Sequence, residues 1–309
     1  MTALSPRTAL LMTLPPLMWA GNAVVGRLLV GHVPPLTLNF VRWVLAALLL
    51  APLGWQALRD VHVIRTSWPY LLAIGCFGVG AYNAFQYLAL TTSTPLNVTL
   101  IAASGPLWML AVGTLAFGQR AGWRQIAGAL LSLAGVLLVV SRGSWALLSH
   151  VHLVAGDIYI LVAALAWAVY SWLLAQPPAW LRPPSRDTLE RWGWAGMLLV
   201  QMLFGLLVAG VAALGEVLST PTVTIDWRNA WVLAALLFVA IGPSIVAYRC
   251  WGLGVARAGP MLAVFFANLT PLFAALLSAT LLGETPRAYH ALAFALIVAG
   301  IAVSARRAA

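Results

Sequence analysis

Two stretches of the chain, PLNVTLIAASGPLWMLAVGTLAFG at residues 95–118 and PMLAVFFANLTPLFAALLSATLLG at residues 260–283, align without a gap at an offset of 165 residues. Prolines and glycines, which punctuate helices, recur at the same places in both stretches and just beyond them. The matched pairs are Pro95 with Pro260, Pro106 with Pro271, Gly118 with Gly283 and Gly135 with Gly300. Four such pairs in register would rarely coincide by chance. The chain is therefore predicted to consist of two related halves.

The composition is that of a protein whose solvent is a lipid bilayer. Hydrophobic residues make up 62% of the 309 residues, charged residues make up only 8%, and the mean hydropathy is +0.95. Soluble domains carry about 25% charged residues. Apolar runs longer than the roughly 18 residues that mark a membrane span recur along the whole chain. An integral membrane protein with many spans is predicted.

The apolar runs, read with their proline, glycine and arginine interruptions, predict ten transmembrane helices and an all-α fold. The breaks between the third and fourth helices and between the eighth and ninth are very short, which predicts two tight antiparallel hairpins. The predicted spans are 8–30, 36–57, 69–91, 94–117, 122–141, 153–175, 190–214, 229–255, 259–282 and 286–305.

The repeat divides the ten helices into two sets of five, with halves at residues 1–145 and 146–309. Because five is odd, the second half must enter the membrane in the opposite sense to the first. An inverted repeat around a central cavity is typical of transporters, in which two equivalent halves open one site to either face in turn. The predicted function is transport of a small solute.

Arginine, which supplies all 17 basic residues, predicts the orientation. Ten spans leave both termini on one side, and cytoplasmic termini put most of the arginines in the cytoplasm, as the positive-inside rule requires. The cytoplasmic set is Arg7, Arg59, Arg65, Arg120, Arg124, Arg182, Arg186, Arg191, Arg257, Arg306 and Arg307. The opposite side receives Arg27, Arg142, Arg228 and Arg287.

Polar and aromatic residues inside the spans are the candidates for substrate binding, since such groups avoid lipid. Asn83 and Gln86 share one helix face, and the offset pairs Asn83 with Tyr248 and Gln86 with Trp251. A neutral pocket rich in aromatic rings follows, which suits a zwitterion or an amphipathic solute. The candidates are Trp19, Asn22, Tyr82, Asn83, Gln86, Trp108, Trp167, Tyr170, Ser171, Tyr248, Trp251 and Asn268. For each one, the alternative is interhelical hydrogen bonding or packing.

Two prolines and two arginines have their own predicted roles. Pro106 and Pro271 are equivalent in the repeat and are predicted hinges. Arg42 lies near the outer end of the second helix and Arg249 near the cytoplasmic end of the eighth, where long side chains reach the headgroups. Structural or gate-stabilising roles are favoured for both over direct substrate contact. With no basic residue at the centre, a phosphorylated cargo ranks below amino acids and amphipathic metabolites.

Several classes of function lack support in the sequence. All seven acidic residues fall in loops or near span ends, so nothing indicates proton coupling, and facilitated diffusion is at least as well supported. No cofactor, metal ion or nucleic acid is predicted as a partner, because no such binding motif is found. A membrane-embedded transferase would need a clustered acid, base or nucleophile, and since the sequence shows none, this function ranks below transport. The oligomeric state is left open, and a monomer is compatible with the pattern.

Five motifs spread over both halves are Leu17-Met18-Trp19-Ala20-Gly21-Asn22, Phe40-Val41-Arg42, Gly156-Asp157, Trp167-Ala168, and Pro271 with Leu282-Gly283-Glu284. In these motifs the chain resembles the drug/metabolite transporter superfamily, specifically its EamA-type members with ten helices, and is similar to bacterial amino acid exporters of the aromatic amino acid exporter type. The family often carries a glutamate before the proline of the ninth helix, whereas Thr270 precedes Pro271 here. The resemblance implies export or facilitated diffusion of amino acids across a bacterial inner membrane, with export of drugs or other metabolites as the alternative.

Overall fold

A computed structural model of the chain describes residues 5–29, 31–93, 98, 101–144, 146, 154–219, 225–282 and 288–305. All the regular elements in these ranges are helices, and nine of the helical segments are long and apolar enough to cross a membrane. A shorter apolar helix, Gly105–Phe117, accompanies them. The predicted all-helical membrane fold is confirmed. The helices are α1 (Pro6–Leu28), α2 (Pro35–Gly54), α3 (Val61–Thr66), α4 (Trp68–Thr92), α5 (Gly105–Phe117), α6 (Trp123–Val140), α7 (Ala155–Ala175), α8 (Arg186–Ser219), α9 (Ala230–Ala258), α10 (Pro260–Ala267), α11 (Thr270–Leu282) and α12 (Ala288–Ala305).

The helices differ from the predicted spans mainly where a helix is interrupted. The predicted span 259–282 is two helices, α10 and α11, separated by a turn at Asn268 and Leu269. Helix α8 begins earlier and ends later than predicted and contains Gly193 in a left-handed conformation, with φ 62°. Pro95, Gly283 and Glu284, which carry part of the repeat and of the family motif, lie outside the described residues.

Pro106 and Pro271 occupy equivalent places at the start of a helix. Pro106 is the second residue of α5 and follows a turn at Ser104, while Pro271 is the second residue of α11 and follows a turn at Leu269. Proline is tolerated in the first turn of a helix, because the amide hydrogen it lacks would have no partner there. Both prolines therefore mark a break in an otherwise apolar helical segment.

Two wider π-helical segments interrupt α4 and α9 at matching positions. They span Cys76–Ala81 and Ala240–Val246, and the offset of 165 residues carries the first onto residues 241–246. A π segment rotates the side chains that follow it relative to those before it. Asn83 and Tyr248, both predicted site residues, are the second residues after these segments.

Helices α6 and α12 pack closely against each other through glycine. A Cβ atom on Gly128 would lie 2.7 Å from the carbonyl oxygen of Gly300, and one on Gly135 would lie 2.8 Å from that of Ala293. In the repeat, Gly128 corresponds to Ala293 and Gly135 corresponds to Gly300. Each of the two contacts is therefore the repeat equivalent of the other. The helices run antiparallel, because the earlier residue of α6 meets the later residue of α12. This is the arrangement that an inverted repeat requires, and the division at residue 145 stays a prediction.

The other extensive helix pairings also join the first half to the second, with α2 against α8, α4 against α7 and α1 against α9. In the α2 and α8 pair, a Cβ on Gly54 would lie 2.7 Å from the carbonyl oxygen of Ala195. At the other end of α2, the amides of Leu36 and Thr37 donate to the Glu216 carboxylate at 3.0 and 2.7 Å. A carboxylate there satisfies amides that have no partner within the helix. These pairings bring α1, α4, α7 and α9 together around the candidate site.

Candidate functional site

A cluster of six aromatic rings, the ring cluster, lies where α1, α4, α7 and α9 meet. Trp167 of α7 is at its centre, with five ring centroids 4.6 to 5.5 Å from its own. Edge-to-face and tilted arrangements at these distances are the favourable ones for aromatic pairs. The members are Trp19, Tyr82, Trp167, Tyr170, Tyr248 and Trp251, all of them predicted site residues.

Hydrogen bonds fix the orientation of several rings. The Ser171 hydroxyl accepts from the indole nitrogen of Trp251 at 3.2 Å and donates to the carbonyl oxygen of Trp167 at 2.8 Å. The Tyr170 hydroxyl accepts from the side-chain amide of Gln201 at 3.1 Å. The rings are therefore held by partners from α7 and α8 as well as by contact with one another.

Arg42 lies at the side of this cluster and is fully buried, with 0% of its surface exposed. The expectation that its side chain reaches the headgroups is wrong. Its Nε donates to Ser244 Oγ at 2.9 Å, and its Nη1 donates to the Tyr87 hydroxyl at 2.7 Å and to Asn83 Oδ1 at 3.1 Å. A longer contact of 3.5 Å joins Nη1 to Asn22 Oδ1. Since these acceptors lie inside the bundle, the side chain turns inward rather than along α2 toward the surface.

Asn83 connects Arg42 to the ring cluster. Its Oδ1 accepts from the guanidinium and its Nδ2 donates to the Tyr248 hydroxyl at 3.1 Å. The Tyr248 hydroxyl in turn donates to the carbonyl oxygen of Gly78, within the π segment of α4. A second link runs through Trp43, whose ring lies 5.2 Å from the Arg42 Cζ atom and 4.9 Å from the Tyr248 ring. The guanidinium and the rings therefore form one continuous site.

The electrostatics of this site differ from the neutral pocket predicted from the sequence. Arginine stays protonated in proteins, so Arg42 brings a positive charge into the bundle. Across the described ranges the two side-chain ion pairs join Arg186 to Glu190 and Arg191 to Asp60, and neither includes Arg42. The Arg42 Nη2 atom is buried without a hydrogen-bond partner. The prediction that the centre lacks a basic residue is therefore wrong. The site holds a cation whose hydrogen-bonded neighbours are uncharged.

A cavity of about 240 Å³ lies next to Tyr87, at the end of the bundle where α1 ends and α2 begins. Tyr87 lines this cavity and its hydroxyl also accepts from the Arg42 guanidinium, so this residue separates the cavity from Arg42. Leu38, one turn before Arg42 on α2, forms another part of the wall. The lining residues are Gly26, Gly31, Val33, Pro34, Pro35, Leu38, Tyr87, Leu90, Thr91 and Glu216.

Three predicted site residues lie apart from the ring cluster. Gln86 is half-buried and forms no hydrogen bond with any described residue. The indole nitrogen of Trp108 donates to Ser104 Oγ in the preceding turn at 3.0 Å. Asn268, in the turn between α10 and α11, donates to Ser132 Oγ of α6 at 2.8 Å, which ties the helix break to its neighbour. The Asn268 contact joins two helices, whereas the Trp108 contact lies within one segment of the chain.

Trp43 and Gln201 were missed in the sequence, and each had a weak signal. Trp43 follows Arg42 directly, and Gln201 is a polar residue in the apolar span of α8.

Ser93 donates to the Asp157 carboxylate, and the backbone amide of Val154 donates to it at 2.8 Å, at the start of α7. No group of three metal-binding side chains occurs among the residues that the structure describes.

Comparison with known proteins identifies the family. The model of the EamA-like transporter family matches residues 6–141 and again residues 154–306. An uncharacterised transporter of Archaeoglobus fulgidus is 29% identical over 96% of this chain and 97% of its own length. The aromatic amino acid exporter YddG of Ancylobacter novellus is 26% identical over 89% of this chain and 88% of its own length. A solved crystal structure shares 25% identity and a TM-score of 0.73, with 96% of each chain covered. With both halves matched and these relatives aligned over nearly their full lengths, the chain belongs to the EamA-like transporter family.

Proposed function

We propose that this protein exports amino acids or closely related amphipathic metabolites, with a preference for those that carry an apolar or aromatic side chain. The observation that carries the proposal is the continuity of the ring cluster with a buried polar network. Rings favour the apolar part of such a solute, while the amide and hydroxyl groups around them favour its polar end. The name of the relative from Ancylobacter novellus, an aromatic amino acid exporter, supports the same class of cargo.

We infer that the solute binds at the ring cluster, with Trp167 at the centre of the contact surface. Trp19, Tyr82 and Trp251 belong to the proposed contact set because each ring lies within 5.1 Å of the Trp167 ring. Gln86, Trp108 and Asn268 are less well placed for this role, since their described contacts lie outside the cluster. The described packing of the rings corresponds to a closed site, which must open to admit a solute.

The proposed mechanism is alternating access between two halves of inverted orientation. The excess of arginine at one end supports cytoplasmic termini in a bacterial inner membrane. The cavity beside Tyr87 then opens toward the outer face, because it lies where α1 ends and α2 begins. The breaks at Pro106 and Pro271 are the proposed hinges, since each begins a helix after a turn and the two are equivalent in the repeat.

The test is uptake of radiolabelled L-phenylalanine, L-tryptophan, L-leucine and L-threonine into liposomes that contain the purified protein. Saturable uptake of the aromatic amino acids, with weaker uptake of L-threonine, is expected. Each assay is run with and without an imposed proton gradient. Uptake that does not depend on the gradient would agree with facilitated diffusion, because no acidic residue falls in the middle of a predicted span. Absence of uptake for all four would reject the proposed cargo and leave drugs or other metabolites.

A pair of tryptophan substitutions locates the site within the same assay. Trp167→Ala removes the central ring of the cluster and should abolish most uptake at normal folded yield. Trp68→Ala is the matched control, since this ring begins α4 and is 52% exposed. Equal uptake by the two variants would place the solute elsewhere in the protein.

A further inference from the structure

The guanidinium of Arg42 contains a hydrogen-bond donor, the Nη2 atom, that is buried without a partner. It is 0% exposed, its Nε and Nη1 atoms are bonded, and its Nη2 atom has no partner. A buried donor without an acceptor is costly, and the cost is higher when the group is charged. Unpaired buried groups are few in native proteins, and a functional role or a bound species is among the explanations for one.

The neighbours of Arg42 stabilise its position without cancelling its charge. Ser244, Asn22, Asn83 and Tyr87 each present a neutral oxygen to the guanidinium. The Glu216 carboxylate at the wall of the adjoining cavity is occupied, since both of its oxygens accept from the first amides of α2. The site therefore retains a net positive charge, which favours an anionic ligand group.

We infer that Arg42 binds the carboxylate of the transported solute through its Nη2 atom. The inference rests on the proposed function and specifies the chemical class of solute, which must carry a free carboxylate. A carboxylate suits a guanidinium because both are planar and form charge-assisted hydrogen bonds. The rest of the solute would lie among the rings that Asn83 and Trp43 connect to the guanidinium.

Tyr87 lies between this carboxylate site and the outer cavity. Its ring lines the cavity and is 5% exposed, while its hydroxyl accepts from Arg42 and donates to Asn22 at 3.1 Å. Rotation of this ring away from Arg42 would connect the guanidinium to the cavity. A solute carboxylate can then leave toward the outer face without crossing lipid.

The experiment uses the purified full-length protein in lipid nanodiscs and a set of matched probes. The probes are 3-phenylpropionate, which has a carboxylate, 3-phenylpropionamide, which is its neutral isostere, and phenethylamine, which has an amine instead. The measured quantity is the dissociation constant from the shift in thermal unfolding temperature over a titration of each probe. 3-Phenylpropionate should bind at least about tenfold more tightly than 3-phenylpropionamide, as expected for a charge-assisted hydrogen bond.

Two variants connect the effect to Arg42. Arg42→Gln should remove the preference for the carboxylate, and Arg42→Lys, which keeps the charge without the planar fork, should weaken carboxylate binding about tenfold. Arg249→Gln is the matched control, because this arginine is exposed and packs over the Trp194 ring at 4.1 Å. If Arg42→Gln gives no folded protein, Arg42→Lys and the probe comparison on the unsubstituted protein decide the question.

Several results would overturn the inference. Equal binding of the carboxylate and the amide would do so, as would an unchanged preference in either Arg42 variant. Stabilisation by chloride that competes with 3-phenylpropionate would assign the Nη2 atom to an inorganic anion instead. The readout is separate from transport, so carboxylate binding without amino acid uptake would reject the proposed cargo while this site stands. Uptake without a carboxylate preference would reject the site alone.

Discussion

Asn83 and Tyr248 lie 165 residues apart, which is the offset of the sequence repeat, and their side chains are hydrogen-bonded at 3.1 Å. Equivalent positions of an inverted repeat can touch only where the twofold axis passes between them. Under the proposed repeat, the axis therefore crosses the molecule between α4 and α9, next to the ring cluster. A site on the axis is presented equally to the two halves, which suits a binding site that must open to either face.

The hydrogen bond on this axis is the basis of the first prediction. Tyr248→Phe keeps the ring but removes the hydroxyl that accepts from Asn83 and donates to Gly78. It should lower the free energy of unfolding by about 1 to 3 kcal/mol, because buried polar groups lose their partners. Tyr159→Phe, whose hydroxyl forms no hydrogen bond with a described residue, should leave stability almost unchanged.

A double-mutant cycle sharpens this prediction. When Asn83→Ala and Tyr248→Phe are combined, the loss in unfolding free energy should be smaller than the sum of the single losses, by about 0.5 kcal/mol or more. The measurement is reversible unfolding in mixed micelles. Strict additivity would show that the two side chains do not interact in solution.

The helix breaks at the two prolines give the second prediction. Pro106→Ala or Pro271→Ala should lower the initial rate of transport while changing the unfolding free energy by only about 1 kcal/mol or less. The reason is that each proline lies in the first turn of its helix, so alanine fits the folded state but allows the helix to extend across the break.

Pro52→Ala is the control for these variants, since Pro52 is exposed inside α2 and is not at a break between helices. Rates are compared at equal amounts of folded protein in the liposomes. Normal rates in both hinge variants would remove the prolines from the mechanism.

The glycine contacts between α6 and α12 give the third prediction. Gly300→Ala would bring a Cβ to 2.7 Å from the Gly128 carbonyl oxygen, so the helices must separate, and the unfolding free energy should fall by about 1 to 3 kcal/mol. In contrast, a Cβ at Gly215 of α8 meets nothing within 4 Å. Gly215→Ala should therefore be neutral or stabilising by about 0.5 to 1 kcal/mol. Thermal unfolding of the purified variants measures both, and equal effects would contradict the packing argument.

Asp60, which directly precedes α3, gives the fourth prediction. A hydrogen bond from the Trp192 indole, at 2.7 Å, and the neighbouring Arg191 guanidinium lower the pKa of this carboxyl from its ordinary value. Because the folded pKa is depressed, the stabilising contribution is complete above the ordinary pKa and is lost as the pH falls through the lowered value. The thermal unfolding temperature should therefore fall at acidic pH, and Asp60→Asn should make that fall shallower.

The helices were predictable because they rest on long apolar runs, whereas their interruptions depend on tertiary packing. Pro271 was predicted as a hinge, but the turn at Asn268 and Leu269 was not, because Asn268 bonds to Ser132 on another helix. The π segments of α4 and α9 were also missed. Their carbonyl oxygens find partners elsewhere, as when the side-chain amide of Asn39 contacts those of Val79 and Gly80 at 3.4 and 3.3 Å.

Six of the predicted aromatic site residues lie together, because Trp and Tyr within a span find hydrogen-bond partners in the interior of the bundle. Arg42 was misjudged for a physical reason. Its distance from the end of α2 suits a side chain that reaches the headgroups, and only the positions of Asn83, Tyr87 and Ser244 in space show why it turns inward. Such partners are up to 202 residues away in the chain, and one sequence does not reveal them.

The exchange of helix partners between the halves has a consequence for how the protein is made. Since α6 packs on α12 and α2 on α8, a ribosome that has released only α1 to α6 leaves α2 and α6 without their main neighbours. The nascent first half must then wait in the membrane for the second, with Gly128 and Gly54 facing lipid. We therefore expect either half synthesised alone to be degraded, and the two halves synthesised together as separate chains to assemble. The two predicted halves would thus form a single unit of biogenesis.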